Sequence, residues 1–104
     1  GDWIEVNLVA PAAMQPTQVL LRIVDPLVHE QLADRIDMWF YFWEPELRLR
    51  IRWRDPRSVD ANRRELTDFL DDACRAGTLK EWFEGSHGRR GGTYRGESGF
   101  YGAE

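Results

Sequence analysis

The chain has 104 residues, one cysteine (Cys74) and a net charge of −4. That length suits one small domain, and a lone thiol rules out an intrachain disulfide framework and points to a reducing cytoplasm. The acidic balance argues against a domain whose main business is a nucleic-acid backbone, and no apolar run is long enough to span a membrane.

Residues 3–9, "WIEVNLV", alternate. Ile4, Val6 and Leu8 fall on one side and Glu5 and Asn7 on the other, which predicts a strand with one buried face. "APAAMQP" reads as a loop. Residues 17–36 carry Leu20, Leu21, Val24, Val28, Leu32 and Ile36 at helical spacing. Pro26 lacks an amide hydrogen, so this helix either kinks there or restarts with Asp25 as N-cap and Pro26 as the first helical residue. "DMWFYFW", 37–43, predicts a strand by its aromatic content. A Glu-Pro-Glu turn follows, and "LRLRIRWR", 47–54, is the next strand. Residues 55–77 predict a second helix with Val59, Leu66, Phe69, Leu70 and Ala73 on its apolar stripe and Gly77 just past its end. "LKEWFEG" is a fourth short strand.

The order β-α-β-β-α-β predicts a ferredoxin-like α+β fold, with two helices on one face of a four-stranded antiparallel sheet. The domain runs over 1–85. Residues 86–104 form a Gly-rich C-terminal segment with six of the chain's nine glycines and three aromatics, Tyr94, Phe100 and Tyr101. A pure linker rarely carries aromatics. The second sheet face must be polar, paired with another copy, or used for binding. A homodimer in which two sheets meet is the expected assembly.

The strand pair 38–43 and 48–53 offers two registers. An even loop would set Trp43 against Arg48, Tyr41 against Arg50 and Trp39 against Arg52. One face would then be apolar and the other aromatic plus arginine, so the even register is expected. Guanidinium over an aromatic ring is favourable, and arginine takes carboxylates in a bidentate fork. This face is therefore either a solvated surface laced with cation–π pairs or a floor for an anionic, aromatic ligand. Single-stranded RNA on exposed aromatics is disfavoured by the acidic balance. His29, His87 and Cys74 do not make a metal site. Asp68, Asp71 and Asp72 read as a solvated helix face.

Two segments carry a family resemblance. "WFYFWEPELRLRIRW", 39–53, resembles the aromatic-strand, Pro-turn, arginine-strand motif of the thiopeptide-type bacteriocin biosynthesis domain, which also forms the elimination domain of class I lanthipeptide dehydratases. "TYRGESGFYG", 93–102, resembles the T-Y-x-x-E-x-x-x-Y-G motif of the same family, and the opening strand and first helix match its start. Arg48 stands where that family often has His, and Tyr41-Phe42 where it often has Arg-Tyr. The short length resembles the small nosiheptide-type terminal amide synthases. The resemblance implies a modified thiopeptide substrate ending in a dehydroalanine, whose N–Cα bond is cleaved to leave a carboxamide and release pyruvate, with no metal or redox cofactor. It implies Glu97 as the acid–base residue. Arg48, Arg50 and Arg52 would hold the substrate carboxylate. Trp39, Tyr41 and Trp43 would stack on its rings, with Tyr94 and Tyr101 covering them. The alternatives are a subunit that aids elimination or pyridine-ring formation, and a non-catalytic module that binds the precursor.

Overall fold

A computed structural model describes residues 3–43 and 46–85. The expected C-terminal segment, with Glu97, Tyr94 and Tyr101, lies outside the described residues. Strand β1 (Trp3–Val9) is followed by a helical segment, α1, that starts at Pro16–Val19 and continues through Leu20–Val24 and Leu27–Gln31. A 3₁₀ turn (Ala33–Arg35) leads into β2 (Ile36–Trp43). Strand β3 (Leu47–Trp53), a second 3₁₀ turn (Pro56–Ser58), helix α2 (Val59–Ala76) and β4 (Glu81–Glu84) complete the order. The sheet order is β2-β3-β1-β4, with every pair antiparallel. This is the expected ferredoxin-like α+β arrangement.

Pro16 occupies a first-turn position of α1, where its missing N–H costs nothing. Of the two outcomes expected at Pro26, the restart with Asp25 as N-cap does not occur. Asp25 (φ −56°, ψ −55°) and Pro26 (φ −62°, ψ −33°) both keep helical backbone angles. Instead the turns on either side widen. The Asp25 N–H donates to the Leu20 carbonyl and the Leu32 N–H to the Leu27 carbonyl, five residues back in each case. Pro26 cannot bond the carbonyl four residues earlier and crowds it, and a wider turn relieves that contact. The widening shifts the helix phase. Val19, Ile23, Val24, Leu27, Val28 and Leu32 point inward, whereas Leu21, expected on the stripe, is exposed, and Ile36 belongs to β2.

Helix α2 buries Leu66, Leu70 and Ala73 as its spacing predicts. It stops at Gly77, whose φ of +84° only glycine adopts without strain. The Gly77 and Thr78 N–H groups donate back to the Cys74 and Ala73 carbonyls and satisfy the end of the helix. A Gly77→Ala variant is expected to lose about 1–2 kcal/mol, the cost of a Cβ in the left-handed region, measurable by urea unfolding. Asp71 does not sit on a solvated face. It is buried and accepts a hydrogen bond from the Trp82 indole N–H at 2.8 Å, which ties α2 to β4. Trp82→Phe would leave that carboxylate without its donor, and we expect a loss of about 1–3 kcal/mol in the same assay.

Candidate functional site

Pairing between β2 and β3 corrects the expected register. Phe42 lies opposite Arg48, Phe40 opposite Arg50 and Met38 opposite Arg52, while Trp43, Tyr41 and Trp39 lie opposite Leu47, Leu49 and Ile51. Three residues separate Trp43 from Leu47, so the loop is odd. Hydrophobicity could not select the register, because both alternating sets of β2 are apolar. A bulge between Ile36 and Met38 lets Ile36 and Trp39 both face the helices. Trp39, Tyr41 and Trp43 therefore sit on the opposite face from the arginines. Trp39 packs on the core and meets His29 edge to face at 5.8 Å. Tyr41 and Trp43 stay partly exposed because β2 is an edge strand. Trp43 also lines a mostly apolar cleft of about 180 Å³ with Leu8, Ala10, Pro16, Val19 and Leu47.

The sheet face that carries the arginines is built by β1, β2 and β3 together. Register places Trp3, Glu5 and Asn7 of β1 opposite Arg52, Arg50 and Arg48. The Arg48 guanidinium lies 5.6 Å from the Phe42 ring centre, and Arg50 lies 5.9 Å from Phe40 and 5.8 Å from Phe42. Phe40 and Phe42 stack at 6.4 Å, and Trp3 meets Phe40 edge to face at 5.7 Å. The aromatic–arginine floor thus exists, but Phe40, Phe42 and Trp3 supply its rings.

Glu5 is the hub of the charges. Its side chain is 10% exposed, and Oε1 accepts from Arg50 Nε at 2.6 Å while Oε2 lies 3.7 Å from an Arg48 terminal nitrogen. Two guanidinium groups share this one carboxylate. Arg52 pairs with Asp37, the bulge residue, at 3.2 Å. Asn7, 1% exposed, donates to the Gly85 carbonyl at 2.6 Å and so fixes the end of β4 at this face. Sequence reasoning passed over Glu5 as a strand's polar side. Its signal was the fold itself: a ferredoxin-like order sets β1 beside β3, which brings Glu5 against the arginine row. Among the described residues no group of His, Cys, Asp and Glu could hold a metal ion, and no helix is long and apolar enough to cross a membrane.

A family model described as lantibiotic biosynthesis dehydratase C-term matches residues 3–104. The chain belongs to that family. Membership ties it to the biosynthesis of ribosomally made, post-translationally modified peptides and agrees with the resemblance carried by the two motifs. No curated protein and no solved structure matches the chain.

Proposed function

We propose that this member of the lantibiotic dehydratase C-terminal family forms a terminal amide on a modified peptide. The substrate ends in an N-acyl dehydroalanine. Protonation of its methylene carbon, with loss of the N–H proton, converts the enamide to an N-acyl imine with a methyl group. Water adds to the imine carbon, and the resulting carbinolamide breaks its C–N bond. The nitrogen leaves in the peptide carboxamide, and the three-carbon unit leaves as pyruvate. One water is consumed and no electrons change hands. A single carboxyl group can give the first proton, activate the water and return a proton to the leaving nitrogen. Glu97 holds the acid position of the T-Y-x-x-E motif and takes that role, with Tyr94 and Tyr101 beside it in sequence.

The observation that carries this reading is the pair Arg48 and Arg50 sharing the one carboxylate of Glu5, whose side chain is 10% exposed. It leaves one positive charge for the carboxylate of a substrate. Arg52 is already matched by Asp37, and the Phe40–Phe42 stack offers flat surface to the heteroaromatic rings of a thiopeptide. Incubation with a dehydroalanine-extended thiopeptide should yield an amide-terminated product by mass spectrometry and one equivalent of pyruvate. Unchanged substrate would sink the reading. Arg48→Ala is expected to raise KM by about tenfold or more, since a charge-assisted contact is worth about 1.5–3 kcal/mol.

A further inference from the structure

Four of the six large hydrophobic side chains exposed among the described residues sit on one strand, β2. They are Met38, Phe40, Tyr41 and Trp43, each between 41% and 50% exposed. β2 ends the sheet order, and among the described residues no strand lies beyond it. The N–H and C=O groups on its outer side are a template for another strand. Sheets usually blunt such an edge. The opposite edge, β4, does so: it has four residues, Glu81–Glu84, with an acid at each end. β2 has eight residues, and 38–43 carry no charge and no proline. The bulge between Ile36 and Met38 lies at the start of the strand and leaves 38–43 regular.

The two ends of β2 differ in charge. Beside its start, the exposed Arg54 donates to the Ile36 and Asp34 carbonyls at 3.1 and 3.4 Å. Past its end, Glu46 stands in the turn to β3. Among the described residues neither side chain is in an ion pair. An antiparallel neighbour of the same sequence brings the Arg54 end of each copy to the Glu46 end of the other. A parallel neighbour would set like charges together. We infer that the partner of this edge is a second copy of the chain, joined β2 to β2 in antiparallel pairing about a two-fold axis perpendicular to the sheet. The product is one continuous eight-stranded sheet. Such an axis keeps like faces on one side, so the two arginine rows share a surface. Phe40 and Phe42 of both copies line the strip between those rows, where aromatic cross-strand pairs are favourable. The second copy thus adds rings to the candidate site. The copies meet edge to edge, not face to face, and the arginine face stays free. The inference stands on the edge of the sheet and does not depend on the amide-forming reading. One strand pair buries less than a standard interface of about 1,600 Å², so the association is expected to be weak, in the micromolar range.

Sedimentation equilibrium of the full chain, from low micromolar to millimolar concentration, tests this. The expected result is a shift from the 12.2 kDa monomer to twice that mass. Over the same range the outward-facing backbone amides of 38–43 should gain at least about tenfold protection from hydrogen exchange. Tyr41→Lys places a charge on the edge without touching the arginine face, and should weaken the dimer at least about tenfold. Tyr41 is 41% exposed, so the variant is expected to keep its fold, which circular dichroism checks. Where it does not, hydrogen exchange of the unaltered chain decides. A 12.2 kDa species at millimolar concentration overturns the inference. So does a dimer whose 38–43 amides gain no protection, the result expected of sheets stacked face to face. A dimer that Tyr41→Lys leaves equally tight overturns it as well.

Discussion

Glu97→Gln is expected to slow pyruvate release by about 10²–10⁴-fold, the usual span of a lost general acid–base group. The substitution keeps size and hydrogen-bonding shape but removes the proton that starts the reaction. Protonation of the methylene carbon is the step without which no later bond can break, because an enamide carbon does not accept water. The measurement is initial pyruvate release from a dehydroalanine-extended thiopeptide, with KM read alongside. A fall in kcat at near-constant KM assigns the loss to chemistry, because the arginine row is untouched. Full turnover by Glu97→Gln would remove the acid–base role from that residue. It would also favour a module that only binds the precursor.

Trp53→Ala is expected to cost about 3–5 kcal/mol of folding stability. Trp53 is 2% exposed, sits at the end of β3, and lies opposite Ile36 where β2 begins. Its removal leaves a cavity in the core on the helix-facing side of the sheet. Small domains carry about 5–15 kcal/mol in total, so much of the margin would be gone. Urea unfolding followed by far-ultraviolet circular dichroism would report a lower midpoint with little change in slope. A loss under 1 kcal/mol would mean that the indole is not packed as described.

The contrast between β3 and β2 shows what the sequence makes legible. β3 alternates Leu, Leu, Ile, Trp with three arginines, and burial follows that alternation without exception along Leu47–Trp53. Only one phase of that strand can face a core, so pattern alone decides it. β2 has no such contrast. Met38, Phe40 and Phe42 are as able to be buried as Trp39, Tyr41 and Trp43, so an expectation drawn from hydrophobicity chose the phase opposite to the observed one. The helical stripe of α2 was readable for the same reason as β3. The phase of α1 was misread around Leu21, in the first wide turn, because i→i−5 turns break the 3.6-residue period on which such reading depends. In the candidate site, the three arginines were legible as a row. Glu5 was not, because its importance comes from the strand next to it in space.

The odd loop between Trp43 and Leu47 has a consequence for how such a domain could diversify. Because both sides of β2 are apolar, a one-residue change in that loop would turn the strand over without placing a charge of 38–43 in the core. Phe40 and Phe42 would leave the arginine row, and Trp39, Tyr41 and Trp43 would replace them. The rings beside the arginines would change from benzyl to indole and phenol while Arg48, Arg50 and Arg52 kept their positions. Loop length is here a two-state selector of ligand-facing chemistry, open to a single codon insertion or deletion.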